Sequence, residues 1–492
     1  MINVKNLAIF LAQSGERQLD LLKKSRHLSG RRHFPVSRVR VYMQLVFDRG
    51  TLVLYGDPVD AGSLPGVLWD PRIRAWRAPA CCYVMLSREL SRSYHGFRDE
   101  VRPQLADAPL IPFPELRPYQ AAAVASWEFA GKRGIIALPT GSGKTRTAIA
   151  AISRTHLRTL CLVPTRALMA QWVKILSDTA PGPIGEYGDG RRVEQPITVA
   201  TFASALRNME TLGNRFDMLI IDEVHHFGGG AGDEALEMCT AAARLGLSAT
   251  PPEDDAHRSR LDTLVGPEVY RASVEELAGR YLASFQLITI SIGLTPSESQ
   301  AYNTELSIFR PVCRAFFEAA PGASWSDFVK SAGRSDVGRR ALAAWRRSRT
   351  VVRYNAEKRR IVNDLLLRHY DSRNLIFAAD NDTAYSVARE HLVQPITCDI
   401  GKKERARALQ RFSAGDLRIL VSARVLNEGI DVPAADVAII VGGSQGSREY
   451  VQRVGRVLRP SEGKKAIVYD LVTRGTFEVS RADEHRRALA SR

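Results

Sequence analysis

Two short polar runs, each directly after an apolar run of strand length, most constrain what this 492-residue chain can fold into. The first, Pro-Thr-Gly-Ser-Gly-Lys-Thr at 139–145, follows the apolar segment 134–138, and the second, Asp-Glu-Val-His at 222–225, follows the apolar segment 218–221. Such runs are typical of parallel strands buried on both faces, and ligands of parallel sheets bind beyond the carboxyl ends of the strands. Together the two runs predict a doubly wound α/β domain that binds and hydrolyses a nucleoside triphosphate.

The first run suits a triphosphate because glycines let backbone N–H groups come close to the phosphates, and a following helix offers its positive end. We expect Lys144 to lie on the β- and γ-phosphates of ATP and Thr145 on Mg²⁺. Leu138 stands where the strict pattern has glycine. The alternative, a glycine-rich surface turn, gives no reason for Lys-Thr between a strand and a helix. The other residues of the predicted loop are Thr140, Gly141, Ser142 and Gly143.

The carboxylates of the second run have complementary predicted roles. We expect Asp222 to hold Mg²⁺ and Glu223 to polarise the attacking water, which is the positioning that phosphoryl transfer requires. Two adjacent acids after a strand could instead cap a helix. The histidines that follow them, at 225 and 226, make that alternative less favourable.

The charge balance indicates a polyanionic partner. Lysine and arginine total 69 against 53 acids, for a net charge of +16 and an isoelectric point near 9.8, as expected of a protein that meets nucleic acid. A membrane is a weaker alternative, because no apolar run approaches spanning length. The six cysteines show no paired metal-ligand spacing, which favours reduced thiols and the cytoplasm, in association with the nucleoid if the source is prokaryotic.

Pattern changes along the chain predict four segments, consistent with about three domains for this length. A basic extension at 1–40 precedes a small α+β domain at 41–105, which opens with a β-hairpin across residues 48–50. Two α/β domains follow at 106–275 and 276–492, and the second carries a basic helical insertion at about 296–355. Six further strands are predicted at 160–163, 197–200, 375–378, 419–421, 437–441 and 467–469.

Two arginine clusters are candidates for anion contacts. Arg346, Arg347 and Arg349 surround Trp345 in the helical insertion, where they could bind nucleic acid or form a solvated helical face. In the second α/β domain, Arg453, Arg456 and Arg459 recur every three residues and therefore share roughly one helical face. Three cations on one face need an anion opposite. We expect this to be the γ-phosphate, with Arg456 and Arg459 as fingers that stabilise transition-state charge.

An ordered set of seven motifs resembles the superfamily 2 helicases. Within them, the chain resembles the xeroderma pigmentosum group B (XPB) family, especially its short archaeal and bacterial forms, over roughly residues 41–480. The motifs are Leu-Arg-Pro-Tyr-Gln at 116–120, the phosphate loop, Val-Pro-Thr-Arg-Ala-Leu at 163–168, Asp-Glu-Val-His, Ser-Ala-Thr at 248–250, Asn-Glu-Gly-Ile-Asp at 427–431 and the arginine helix at 452–459.

The resemblance implies roles for individual residues. Arg117 and Gln120 would contact adenine, Gly429 and Asp431 would lie on the nucleotide, and Gln452 would join Arg456 and Arg459 in the catalytic set. His225, Ser248 and Thr250 would couple hydrolysis to motion. The implied contacts to the DNA backbone are Thr165, Arg166, Thr201 and Ser422.

The resemblance also implies an architecture and an activity. It implies two RecA-like motor domains, a damage-recognition domain at 41–105 and a helical thumb at 296–355. The implied activity is ATP-dependent 3′ to 5′ movement on single-stranded or forked DNA, in nucleotide excision repair beside a nuclease partner. An RNA helicase and a non-catalytic DNA-binding scaffold are the alternatives, and the intact ATPase residues disfavour the scaffold.

One short segment departs from the family pattern. Where the family carries an Arg-Glu-Asp element that helps to separate strands, this chain has Glu253-Asp254-Asp255. Either His257 or Arg258 replaces the missing arginine, or the protein is a duplex translocase or remodeller with weak intrinsic unwinding.

Overall fold

The computed structural model describes residues 43–56, 64–252, 254–423, 435–442, 446–457 and 465–490, so the predicted extension at 1–40 lies outside it. These residues form two compact units. The first combines the described residues up to 106 with two later segments, 207–217 and 234–242. The second contains the rest of the described chain.

The first unit contains a five-stranded sheet in the order β3-β4-β2-β1-β5. The predicted hairpin is confirmed, since Asp48 pairs with Thr51 across a two-residue loop. Both loop residues have positive φ, 47° for Arg49 and 85° for Gly50, as a type I′ hairpin turn requires. The elements are β1 (Gln44–Asp48), β2 (Thr51–Tyr55), β3 (Leu68–Asp70), β4 (Ala75–Pro79), helix α1 (Tyr83–Ser93) and β5 (Arg98–Glu100).

An eight-stranded sheet in the order β13-β6-β12-β11-β7-β10-β8-β9 follows, parallel except for the β8–β9 hairpin. Strand β11 is buried throughout, which explains its uninterrupted apolar run. The strands are β6 (Arg133–Ala137), β7 (Thr159–Val163), β8 (Gly185–Gly188), β9 (Arg191–Val193), β10 (Ile197–Thr201), β11 (Met218–Asp222), β12 (Ala243–Ser248) and β13 (Glu268–Arg271).

Helices connect these strands, as a doubly wound sheet requires. The last residues of α5 and all of α6 belong to the first unit. The helices are α2 (Pro118–Phe129), α3 (Lys144–Thr155), α4 (Arg166–Thr179), α5 (Phe202–Leu212), α6 (Glu234–Glu237), α7 (Asp255–Leu264) and α8 (Val274–Leu277).

The predicted helical character of the basic insertion is confirmed. After strand β14 (Ser284–Ile292) come three helices, α9 (Pro296–Ala319), α10 (Trp325–Ala332) and α11 (Asp336–Arg353). Thr295 and Ser324 each cap a helix by accepting from the backbone N–H of an acid three residues on, and the carboxylate of that acid accepts from the cap residue's own N–H. This is the capping-box pattern that fixes a helix start. An aromatic cluster centred on the fully buried Phe328 joins the helices.

A second, fully parallel sheet completes the second unit, in the order β14-β19-β18-β15-β17-β16. All the strands predicted from apolar runs are present, and they are buried at its centre and at the centre of the first parallel sheet. Among the described helices, none has both the length and the apolarity to cross a bilayer. The remaining elements are α12 (Ala356–Arg368), β15 (Asn374–Phe377), α13 (Asn381–His391), β16 (Gln394–Ile396), α14 (Lys402–Ala414), β17 (Ile419–Ser422), β18 (Val437–Ile440), α15 (Ser447–Val457), β19 (Lys465–Thr473) and α16 (Phe477–Ala490).

Candidate active site

The phosphate loop joins β6 to α3 and depends on its glycines. Gly141 and Gly143 have φ values of 83° and 86°, a region that side chains disfavour. A Cβ on Gly143 would also lie 2.5 Å from Nε2 of Gln120. The loop therefore needs glycine at these positions, and it leads into the amino terminus of α3, where N–H groups and the helix dipole favour an anion.

Lys144 begins α3, and its ammonium group lies beside the loop. Its Nζ donates to the carbonyl oxygen of Leu138 at 3.3 Å, a long hydrogen bond that a stronger acceptor can replace. The buried Ser142 hydroxyl donates to the Pro139 carbonyl at 2.7 Å and so closes the loop on itself. Thr145 is half-buried in the first turn of α3. The donors of the predicted loop thus lie close together.

Asp222 ends β11 and is only 6% exposed. Its Oδ2 accepts from Trp172 Nε1 at 2.9 Å, and its Oδ1 accepts from the backbone N–H of Glu223 at 3.0 Å. Burial, reinforced by the neighbouring Glu223 charge, raises the pKa of Asp222 to about 6, although the Lys144 cation opposes the shift. A carboxylate held this way is costly to keep charged unless a cation lies beside it.

Glu223 combines a strained backbone with a buried, unsatisfied oxygen. Its φ of 52° is left-handed, a conformation uncommon for residues other than glycine. Its Oε2 is buried and makes no hydrogen bond within the described residues, although His225 Nδ1 lies 3.4 Å away. Leaving a buried acceptor unsatisfied costs about 1–3 kcal/mol, so this oxygen suits a proton donor such as a bound water.

The donor set fits magnesium and a triphosphate. The Asp222 carboxylate and the Thr145 hydroxyl are oxygen ligands of the kind that Mg²⁺ prefers, and the amino terminus of α3 favours the anionic phosphates. The described residues contain no group of three or more His, Cys, Asp or Glu side chains that could hold a metal alone.

The predicted coupling residues lie together behind the carboxylates. His225 Nδ1 is 3.0 Å from Ser248 Oγ, at the end of β12, and both side chains are buried. Ser248 Oγ also accepts from the backbone N–H of Thr250 at 3.1 Å. One hydrogen-bonded chain therefore runs from the loop after β11 to the segment after β12.

The two residues expected on adenine surround the back of the phosphate loop. Gln120 is 2% exposed, and its Nε2 donates to the Ser142 carbonyl at 2.8 Å. Arg117 Nη1 donates to the Tyr281 carbonyl at 2.7 Å, and the ring of Tyr281 packs on Tyr119 with centroids 4.9 Å apart. Gln120 thus contacts the loop directly, whereas Arg117 is linked to it through Gln120, which accepts from the Arg117 N–H at 3.0 Å. Contact of either residue with adenine stays a prediction.

Helix α15, from the second parallel sheet, reaches the phosphate loop of the first. A Cβ on Gly455 would lie 2.8 Å from Cβ of Thr140 and 3.3 Å from its carbonyl oxygen, so only glycine fits here. The expectation that a phosphate neutralises the whole arginine face is wrong for Arg453, which is fully buried and paired with Glu449 at 2.7 Å. The side chains of Gln452 and Arg456, and all of Gly429, Asp431 and Arg459, lie outside what the structure describes.

The four residues expected on the DNA backbone lie at strand ends or just after them, but they differ in exposure. Arg166 is exposed and pairs with Asp189 at 2.6 Å, and the half-buried Thr165 caps α4 by accepting from the Leu168 N–H. Thr201 is 7% exposed and bonds to Ser204. Ser422 is fully buried, and its Oγ makes no hydrogen bond within the described residues. Arg166 and Thr165 are therefore the more accessible candidates.

The arginines of α11 differ from one another too. Arg346 is exposed. Arg347 is exposed but forms a two-pronged ion pair with Glu305, at 2.7 and 2.8 Å. Arg349 stacks on the rings of Phe477 and Trp345, at 4.0 and 4.8 Å, and burial together with neighbouring cations lowers its pKa to about 10. The geometry favours Arg346 over Arg349 as a phosphate contact.

The acidic segment 253–255, which departs from the family pattern, leads into helix α7. Glu253 lies outside the described residues, whereas Asp254 caps α7 by accepting from the His257 N–H at 2.9 Å. The His257 ring lies 2.9 Å from the same carboxylate, and Asp255 lies 3.7 Å from Arg258. At least one acid of this segment therefore has a structural role.

Sequence reasoning missed Trp172, Tyr281 and Glu449. Trp172 belongs to the apolar face of α4 with Met169 and Leu176, and nothing in that spacing distinguishes a hydrogen-bond donor from a core residue. The Glu449–Arg453 pair could have been found, because residues four apart are neighbours on a helix.

Three family models match the chain. The description "Type III restriction enzyme, res subunit" matches residues 113–253, and "Helicase conserved C-terminal domain" matches residues 357–461. The description "Xeroderma pigmentosum group B helicase damage recognition domain" matches residues 45–101.

Relatives match most of the chain. The "DNA 3'-5' translocase XPB2" of Sulfurisphaera tokodaii is 35% identical over 425 residues, which cover 84% of this chain and 94% of the relative. The "DNA 3'-5' helicase XPB" of Mycobacterium tuberculosis is 28% identical, over 76% of this chain and 64% of the relative. The "Putative DNA 3'-5' helicase Rad25" of Halobacterium salinarum is 30% identical, over 77% of this chain and 57% of the relative.

Proposed function

Because the chain belongs to the xeroderma pigmentosum group B (XPB) helicase family, we propose that it is an ATP-dependent DNA helicase or translocase that moves 3′ to 5′. The observation that carries the proposal is the approach of Gly455 on α15 to Thr140 of the phosphate loop. This contact supports the proposal because it brings the turn before Arg456 next to the phosphate loop, where closing and opening between the two parallel sheets could follow the state of the nucleotide.

The residues divide the chemistry between the two sheets. When bound, Mg²⁺ and ATP supply phosphate-charge neutralisation and the phosphoryl group that is transferred to water. Lys144 neutralises phosphate charge, and Thr145 and Asp222 hold the magnesium. Glu223 orients the attacking water through its unsatisfied oxygen. Arg456 and Arg459, supported by Gln452, stabilise the charge that develops in the transition state.

Movement is assigned to the residues around this centre. The His225–Ser248–Thr250 chain passes the state of the carboxylates to the segment after β12. Thr165, Arg166 and the exposed Arg346 are the strongest candidates for contacts with the DNA backbone, which position the strand but do not read its sequence.

A role in nucleotide excision repair, beside a nuclease partner, is the biological setting we propose. Its support is the match of residues 45–101 to the damage-recognition model. A second candidate is a duplex translocase with weak unwinding. The cap formed by Asp254 favours this candidate, because it places a carboxylate at the start of α7, in the segment where the family carries its strand-separating element, and a carboxylate repels the DNA backbone.

ATP turnover with different nucleic acids tests the proposal. We expect turnover to be low alone, to rise with single-stranded or forked DNA, and to rise far less with RNA of the same sequence. Lys144→Ala is the control for contaminating ATPases. Equal stimulation by RNA would favour an RNA helicase, and absence of turnover under every condition would favour a non-catalytic scaffold.

A further inference from the structure

Arg453 occupies an unusual place for a member of an arginine cluster. It is fully buried, and its Nη2 donates to Glu449 Oε1 at 2.7 Å and to the carbonyl oxygens of Ala378 and Ala423, each at 3.4 Å. The guanidinium also lies over the ring of Phe377, 5.2 Å from its centroid. Every one of these partners belongs to the second parallel sheet or to α15 itself.

These contacts define the position of α15. Ala378 and Ala423 follow β15 and β17, which are neighbours in the sheet, so one guanidinium bridges the carboxyl ends of two strands. Glu449 lies one turn earlier on the helix and fixes the rotation of the arginine. Because arginine stays charged in proteins and a buried charge without partners is strongly destabilising, a shift of α15 away from these strands would be costly.

The next turn of the helix is the one that meets the phosphate loop. Gly455 is two residues after Arg453 and touches Thr140, and Arg456 follows directly. We propose that Arg453 is a positioning residue, which ties α15 to the ends of β15 and β17 and thereby holds the turn that carries Arg456 at the nucleotide. The inference rests on the proposed function, since it requires Arg456 to act on the phosphates.

A purely structural role for the same buried ion pair predicts different behaviour. Removing such a residue would lower stability, and its effect on kcat would be independent of the effect of removing any catalytic residue. A positioning residue acts through Arg456, so its loss should matter little once Arg456 has been removed. The planar fork of arginine also matters, because an ammonium group cannot reach a carboxylate and two carbonyls with the same geometry.

A double-mutant cycle on DNA-stimulated ATP hydrolysis tests the proposal. We expect Arg453→Gln to lower kcat about 10- to 100-fold, the effect of a displacement of about 1 Å, with little change in the ATP dissociation constant, because the phosphate donors belong to the first parallel sheet. Arg456→Ala should lower kcat further, about 1000-fold as for other arginine fingers, and adding Arg453→Gln to it should cause no further loss. Arg453→Lys should recover only part of the lost activity.

The matched control is Arg244→Gln. Arg244 is also fully buried and donates to a carbonyl, that of Leu264, but it lies on β12, away from α15. The fold reductions in kcat caused by Arg244→Gln and Arg456→Ala should multiply in the double variant. If Arg453→Gln does not fold, the same cycle is run with Arg453→Lys. Multiplying losses for Arg453 and Arg456, or an unchanged kcat in the Arg453 variant, would overturn this inference alone. A normal kcat for Arg456→Ala would overturn the proposed function of the helix itself.

Discussion

The backbone of Glu223 has a left-handed conformation, which costs about 1–3 kcal/mol in a residue other than glycine. Its buried Oε2 is also unsatisfied within the described residues. Such costs persist only where the surroundings impose them, here the buried strand β11 on one side and the short turn that contains His225 on the other. The surrounding elements therefore hold Glu223 in a conformation that it would not adopt alone.

We predict that Glu223→Gln separates hydrolysis from binding. The amide keeps the shape but cannot draw a proton from water, so turnover should fall about 100-fold or more while ATP binding persists. Lys144→Ala should weaken both binding and hydrolysis, because it removes the charge that offsets the phosphates. Rapid-quench kinetics and nucleotide titrations on both variants provide the measurement. Near-normal turnover in Glu223→Gln would refute the role assigned to this carboxylate.

At the scale of elements, α11 contains both a surface and a core arginine. Arg346 faces solvent, whereas Arg349 joins the ring cluster of Trp345 and Phe477. The sequence pattern alone treats the three arginines of this helix as equivalent. Residues distant in sequence determine the different environments of two of them, since Arg347 pairs with Glu305 and Arg349 stacks on Phe477.

We therefore expect two different phenotypes from this helix. Arg346→Ala with Arg347→Ala should weaken DNA binding for all sequences and reduce the slope of log affinity against log salt by about 1 to 2. Arg349→Ala should chiefly lower the melting temperature, since it removes buried packing. Fluorescence anisotropy between 50 and 200 mM salt and thermal melts distinguish them. An unchanged salt slope in the double variant would show that Arg346 and Arg347 belong to a solvated helical face that does not contact DNA phosphates.

The contact between α15 and α16 predicts a pH effect. The rings of Tyr450 and His485 stack with centroids 4.3 Å apart. Burial, then the nearby Arg481 and Arg453 cations, lower the pKa of His485 to about 4, although Glu449 opposes the shift. As pH falls below about 6.5, the unfolded chain gains a proton at this residue that the folded chain does not. Stability from His485 is therefore present at neutral pH and is lost as the pH falls toward 4.

We predict that His485→Phe, which keeps a ring on Tyr450, becomes more stable relative to the unmodified protein as pH falls from 7.5 to 4.5. The relative gain in unfolding free energy should reach up to about 3 kcal/mol. Burial also raises the pKa of Asp470, to about 6, but this affects both proteins and cancels in the difference. Urea unfolding at several pH values measures it. His485→Gln, which lacks the ring, should show the same pH trend at lower stability, and a difference independent of pH would contradict the argument.

At the scale of the whole molecule, the features that could be predicted from the sequence are those formed by residues close together in the chain. The hairpin, the central strands and the glycine loop follow from short patterns, and the structure has all of them. Long-range pairing did not follow. Asp217 directly precedes β11 and marks only a strand boundary in the sequence, yet it pairs with Arg102, 115 residues away, and helps to place segment 207–217 in the first unit. In the same way, the placement of Thr201 and Ser422 at strand ends could be expected, but their burial could not.

Strand separation is an activity of the whole molecule, and substitutions in the acidic segment 253–255 test whether that segment limits it. Close approach to a DNA backbone is disfavoured by carboxylates at 253–255, while the ATPase residues lie in other loops. We predict DNA-stimulated hydrolysis and translocation but poor unwinding of long duplexes, and a faster unwinding rate in Glu253→Arg with little change in turnover. Strand displacement on a 3′-tailed duplex, measured beside ATPase rate, is the test.

Asp254→Ala is a comparison variant, expected to cost about 1 kcal/mol of stability through its lost cap. Robust unwinding by the unmodified chain, unaffected by Glu253→Arg, would show that the segment does not face the strands.

The absence of a side chain at Gly455 also has a consequence for energy conversion. Where α15 meets Thr140, the helix presents backbone without a side chain, so the helix side of the contact has no rotamer to fix when the two parallel sheets approach or to release when they separate. The ordering cost on the helix side of this contact is therefore small, which leaves the bound nucleotide to favour one arrangement or the other. A motor that must close and reopen in every turnover needs such a joint, since a deeply interlocked one would hold the product state and stop the cycle.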